Sequence, residues 1–347
     1  MRSSLAPGLA VLALLSAQPL IAQSKAKAEN VPEIPYRSVP NFLKLPPNLY
    51  LGEGIGVATN SKGHVFVYTR SGDTRLFEFD QNGAFVRELG QGLYGFEFAH
   101  AVRVDREDNI WAVDEGTNMV IKFNPEGRVV MVLGRRPEAV EGIVASPSGT
   151  PPPPPEPYVF SRPTDVGWDA DGNIFVTDGY GNSRVVKFDK NGRFLKQVGT
   201  HGNQPGQLNL PHTMAMDAQG NVYVGDRSNA RVQVFDNDLN FKAIYDNVGN
   251  PWAVCISPGP HQYLFVSNST PDNGLAQYRD ITGEIYKMEL DGTILGKFGK
   301  PGKRLNEFST VHEIDCRNPD ELFVAEITAW RIQKILLNPR TSTASGR

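Results

Sequence analysis

Residues Asp165–Gly179 read DVGWDADGNIFVTDG. Two short apolar runs, DVGW and IFVTD, flank a D-A-D-G-N cluster. Runs of that length rich in Val, Ile, Phe and Trp are strand material, and Asp, Gly and Asn between them are turn chemistry, so the stretch reads as a β-hairpin. It recurs along the chain. Gly56–Arg70 reads GVATNSKGHVFVYTR, Ala101–Glu115 reads AVRVDREDNIWAVDE, and Thr213–Arg227 reads TMAMDAQGNVYVGDR. Ala253–Asn268 (AVCISPGPHQYLFVSN) and Glu313–Glu326 (EIDCRNPDELFVAE) are looser copies. A third strand follows each copy, as in RLFEFD, SRVVKFD and WRIQKIL. All units but the last then carry a fourth, as in RFLKQVG and TILGKFG. A four-strand unit of roughly 40 residues or more, repeated six times, predicts an all-β protein: a six-bladed β-propeller. The last unit runs out of sequence near Leu337. The segment NFLKLPPNLYLG, Asn41–Gly52, is expected to supply its missing strand and close the ring, leaving no open sheet edge.

Composition agrees with this class. The chain has 347 residues, of which 40% are hydrophobic, and its 34 glycines and 26 prolines suit many short strands joined by turns. The net charge of −3, with no basic patch, argues against a nucleic-acid partner. Residues 1–22 have the order of a secretory signal peptide, with Arg2, an apolar Leu9–Leu15 and a small residue at Ala22. The expected organisation is therefore a signal peptide (1–22), an N-terminal segment with the closing strand (23–50), the propeller (51–338) and a tail (339–347). The mature protein is expected to be soluble, monomeric, and secreted or periplasmic, with no membrane span. Cys255 and Cys316 are far apart in sequence and are expected to be buried free thiols. Two insertions, 136–161 with its SGTPPPPPEP and 269–282, are expected to be surface loops or lids.

Aligning the units on the D-x-x-G-N turn puts Ile55, His100, Thr164, His212, Trp252 and His312 in one column. Histidine occupies every second unit. The first strand of a blade lines the channel, so three imidazoles from alternate blades converge on the axis at one height. Three imidazoles with an open fourth position are the ligand set of a catalytic zinc. The other three histidines, His64, His201 and His261, show no pattern. A second column, at the end of the second strand, holds Arg70, Glu115, Gly179, Arg227, Ser269 and Ile327, with Tyr180 one residue beyond it. Arg70 and Arg227 beside a metal suit a substrate bearing a carboxylate. Tyr180 among those charges is expected to have a lowered pKa and to act as a base.

With these columns in place, the chain resembles the NHL-repeat propellers, and among them the peptidyl-α-hydroxyglycine α-amidating lyases. The resemblance runs from about Leu51 to Leu337. It is carried most specifically by RPTDVGWDADGNIFVTDGYGNSRVVKF and LNLPHTMAMDAQGNVYVGDRSNARVQVF. It implies zinc on His100, His212 and His312, with Arg70, Tyr180 and Arg227 as the catalytic set. It also implies a calcium ion in the channel, held by the backbone carbonyls of Val57 and Val102 and by the acidic side chain of Glu313. The activity implied is cleavage of the C–N bond of a carbinolamide, a peptidyl-α-hydroxyglycine or a small ureidoglycolate-type molecule, to an amide and glyoxylate. The competing expectation is a non-catalytic NHL module that binds protein or carbohydrate. Such a module has no use for a histidine column.

Overall fold

The computed structural model describes residues 31–136, 156–269 and 283–339. The expected signal peptide, most of both insertions and the tail from residue 340 lie outside these residues. Six four-stranded antiparallel sheets form a six-bladed β-propeller. Blades one to five span residues 53–89, 99–134, 165–198, 211–245 and 251–298. Blade six combines residues 311–337 with Tyr36–Val39. Among the described residues no helix is long and apolar enough to cross a membrane.

The repeated turn motif has a local cause. Asp169 accepts hydrogen bonds from the backbone N–H of Asp171 (3.0 Å) and Asn173 (2.9 Å), which pins the hairpin between the first two strands. Asp105 and Asp217 do the same in blades two and four, and Asn60 does it in blade one. Where blade three has Gly172 at φ 82°, blade two has Asp108 at φ 60°, a left-handed position that aspartate tolerates better than most residues. The second strands are buried on both faces between neighbouring blades. All of Val65–Arg70 and all of Ile174–Asp178 are buried, which explains runs that are apolar rather than alternating. The outermost strands, such as Phe194–Val198, are half exposed.

Two expectations are corrected here. The closing strand is Tyr36–Val39, which pairs antiparallel with Arg331–Leu337, and not Asn41–Gly52. Pro46 and Pro47 lack the N–H a ladder needs. That segment instead lays Phe42, Leu43, Leu45, Leu49 and Leu51 over the core shared by blades one and six. The second correction concerns the cysteines. Cys255 and Cys316 are 61 residues apart but lie on the innermost strands of adjacent blades, Pro251–Ile256 and Val311–Asn318. Their Cα atoms are 6.1 Å apart and they form a disulfide.

Candidate metal centre and channel mouth

Each histidine of the column stands at an irregularity in its strand. The register between the first two strands shifts between Ala99 and Ala101, between Pro211 and Thr213, and between Val311 and Glu313. In each blade the residue skipped is the histidine. A bulge leaves one residue outside the ladder and re-aims its side chain. The three rings meet at the axis with centroids 4.7, 4.7 and 4.9 Å apart. One ring nitrogen of each lies within 4.8 Å of the others, and all three residues are buried.

The other ring nitrogens explain the alternation. His100 Nδ1 bonds the Thr164 carbonyl (2.6 Å), His212 Nδ1 that of Trp252 (2.7 Å) and His312 Nδ1 that of Ile55 (2.9 Å). These acceptors are the non-histidine members of the same column, one blade on. A carbonyl only accepts, so each Nδ1 carries the hydrogen and each Nε2 keeps its lone pair. His100 Nε2 and His212 Nε2 are buried and have no hydrogen-bond partner. Burial drives all three imidazoles far below their ordinary pKa, His312 to about 3. Charges nearby add to the effect, Arg70 at His100 and His312 and Arg227 at His212. Neutral and convergent, two of them without a hydrogen-bond partner, these nitrogens fit a first-row transition metal.

The second column surrounds this centre unevenly. Arg227 stacks its guanidinium 4.2 Å from the Trp252 ring centroid and 5.7 Å from that of Tyr180, and its Nη1 is buried with no hydrogen-bond partner. The acids of this region do not neutralise it, because Asp178 and Asp226 pair with third-strand arginines, Arg184 (2.9 Å) and Arg231 (2.7 Å). Tyr180 packs edge-on against His100 and His212, at 5.6 and 6.1 Å between centroids. Its pKa answers to burial and to the protein's own charges. Burial raises it, and Arg227 is the largest opposing influence. Arg70 also lies beside the histidines, but it is more engaged than the column implied. It pairs with Glu53 (2.7 Å), bonds the Ala99 carbonyl (3.3 Å) and stacks on Phe98 (3.9 Å).

Sequence reasoning gave no role to Glu115 and did not single out Arg162. Glu115 is buried, 4.0 Å from His100 Nε2, and bonded to Arg162, whose guanidinium covers the Tyr180 ring at 4.4 Å. Burial raises the Glu115 carboxyl and Arg162 pulls against it. The only sequence signal for Arg162 is its place before Pro163 in SRPTD. Its left-handed backbone (φ 61°) is visible only in the fold.

Two of the expected calcium ligands, Val102 and Glu313, are in contact, but in a way that does not fit a calcium ion. Val102 presents its N–H to Glu313 Oε2 (3.2 Å), a donor where a cation needs an acceptor. Arg103 Nη1 lies 3.2 Å from Glu313 Oε1, so a positive charge already faces that carboxylate.

A family model described as NHL repeat matches residues 160–188 and 208–235. A Caenorhabditis elegans protein named as a probable peptidyl-alpha-hydroxyglycine alpha-amidating lyase is 30% identical over 220 residues, 56% of this chain. The chain spans 58% of that relative's length. NHL repeat-containing protein 3 of Mus musculus is 28% identical over 304 residues, 83% of this chain and 80% of that one. Among solved structures, a gluconolactonase from Xanthomonas campestris has a TM-score of 0.57 at 16% identity, covering 89% of this chain and 97% of that one. It shares the fold alone. The chain is thus a six-bladed propeller with NHL repeats at residues 160–188 and 208–235, similar at modest identity to proteins named as peptidyl-α-hydroxyglycine α-amidating lyases.

Proposed function

We propose that the protein is a zinc-dependent lyase that cleaves the C–N bond of a peptidyl-α-hydroxyglycine or a similar carbinolamide. The observation that carries this reading is the set of three buried imidazoles, each held by a backbone carbonyl with its Nε2 directed inward. Lyase-named relatives support an enzyme of the amidating-lyase kind. His100, His212 and His312 would hold the ion, and imidazole nitrogens favour zinc over magnesium or calcium. When bound, the ion supplies a Lewis-acidic charge for the substrate's hydroxyl and carboxylate oxygens.

The chain's own residues do the rest. The free Nη1 of Arg227 binds the substrate carboxylate, and the Trp252 ring fixes the guanidinium plane. Arg70, tied to Glu53, adds positive potential behind His100 and His312. Tyr180 takes the hydroxyl proton of N–CH(OH)–COO⁻. The O–H electrons become the second bond of the aldehyde, the C–N bond breaks, and the nitrogen leaves with its electron pair and gains a proton, giving amide and glyoxylate. Protein charges alone leave the phenol above its ordinary pKa, so a further positive charge close by is needed for it to act as a base.

The test is glyoxylate release by the zinc-loaded protein, from a peptidyl-α-hydroxyglycine and from ureidoglycolate in parallel. Turnover of the first supports the reading as stated. Turnover of ureidoglycolate alone keeps the site and changes the substrate. Full metal content with no turnover of either overturns the lyase and favours a binding module.

A further inference from the structure

Below the histidines the channel floor holds a second charged group, which the proposed reaction does not use. Arg103 follows Val102 on the innermost strand of blade two, and its guanidinium crosses the axis. Nε and Nη2 fork onto Asp165 of blade three at 2.9 and 2.6 Å. Nη2 also reaches Thr213 Oγ1 of blade four at 3.5 Å. Nη1 lies 3.4 Å from the Ile314 carbonyl and 3.2 Å from Glu313 Oε1, both of blade six. Three blades thus offer oxygens to one cation carried by a fourth. Asp165 is saturated besides, since its carboxylate also accepts from Val166 N, Met214 N and Thr213 Oγ1. The cavity lined by this group and the histidines is about 10 Å³, room for one water at most.

We propose that the Arg103 guanidinium is the resident cation of the channel floor, standing in the place where the family resemblance puts calcium, so that the ring holds its histidines in register without calcium. Calcium takes roughly six to eight oxygen ligands. Among the buried side-chain oxygens described on this floor, Glu313 Oε1 alone has no hydrogen bond, and it faces the guanidinium. The Val102 N–H on Glu313 Oε2 closes the other side of that carboxylate. An ion entering this floor would meet a like charge fixed by a two-pronged ion pair, which Arg keeps in any accessible pH range. The role is positional, since Glu313 follows the ligand His312 and Arg103 restrains it from across the channel.

The experiment compares thermal unfolding and metal content in excess EGTA and in millimolar calcium, on zinc-free protein, for wild type, Arg103→Ser and Arg103→Lys. The expected result has three parts. Wild type melts identically in both buffers and holds no calcium. Arg103→Ser melts lower in EGTA, and calcium restores part of the loss. Arg103→Lys, which keeps the charge but loses the fork, stays insensitive to calcium. A wild-type protein that carries one calcium per chain, or that melts lower in EGTA, overturns the proposal. So does a serine variant that is as stable as wild type in EGTA, or destabilised yet unmoved by calcium. If the serine variant fails to fold, the wild-type and lysine measurements decide. None of these readouts depends on the reaction catalysed, so failure here and failure of the lyase reading are separable.

Discussion

Tyr180 and Arg227 show how much a single side chain owes to its neighbours. Arg227 is available because its neighbour Asp226 is already paired with Arg231, and Tyr180 is held between two imidazoles and two guanidiniums. Tyr180→Phe should keep the packing and remove the proton acceptor. Turnover is expected to fall about 10²–10⁴-fold with zinc content unchanged, measured by glyoxylate release and metal analysis on the same sample. Wild-type kinetics in that variant would remove Tyr180 from the chemistry while leaving the metal site standing. Arg227→Ala should cost kcat/KM on carboxylate substrates by on the order of 10- to 100-fold, the worth of a charge-assisted hydrogen bond, and much less on a substrate amide.

At the scale of elements, the closing strand and the disulfide each join parts of the chain that are distant in sequence. Tyr36–Val39 adds the outer edge of blade six, with Tyr36 packed on Phe298 and Phe308 and bonded to the Asn306 carbonyl, and Ser38 Oγ on Gln333. A chain beginning at Asn41 should lose on the order of 3–5 kcal/mol, from an aromatic contact and several ladder bonds. One beginning at Val31 should keep these contacts. Chemical denaturation of the two truncations separates the cases, and equal midpoints would mean that Asn41–Gly52 closes the ring after all. The disulfide closes a 61-residue loop. Reduction, or Cys316→Ser, is expected to cost roughly 2–4 kcal/mol, seen as a lower Tm with the metal site retained. An unchanged Tm under full reduction would show that the paired strands hold blades five and six together without it.

For the molecule as a whole, the three buried imidazoles link stability to pH. Their folded-state pKa values are lowered, His312 to about 3. An unfolded chain has ordinary histidines near 6.5. As pH falls below that value the unfolded state takes up protons that the buried rings refuse, so the metal-free protein loses stability on the way toward pH 3. Each histidine contributes up to about 1.4 kcal/mol per pH unit. The Tm of chelated wild type should therefore fall between pH 7.5 and 5 more steeply than that of His212→Asn. Zinc should flatten the slope until protons compete it off the imidazoles. Parallel slopes for wild type and variant would mean that the rings take up protons within the fold. Metal removal at neutral pH should leave circular dichroism unchanged, since six interlocking apolar clusters close the ring independently of the axis.

The blade count, the strand order within a blade and the column that carries His100, His212 and His312 were legible in the chain alone. Each follows from a short repeated pattern, and Asp169 and its equivalents set the repeat by bonding backbone only two and four residues away. What depends on a neighbouring blade was not legible. The carbonyls of Thr164, Trp252 and Ile55 that fix the tautomer of the histidines reach them only once the ring is closed. The same holds for the Glu115–Arg162 pair, the cystine between blades five and six, and the exchange of Asn41–Gly52 for Tyr36–Val39 at the closing edge. Arg103 is the plainest case. In the sequence it is one more charged residue on a strand, and only four blades meeting on one axis place it among Asp165, Thr213, Glu313 and Ile314. Local turn chemistry and periodicity act over a few residues and are written in order along the chain. The polar contacts of the channel join residues up to 257 positions apart, and their partners are chosen by packing.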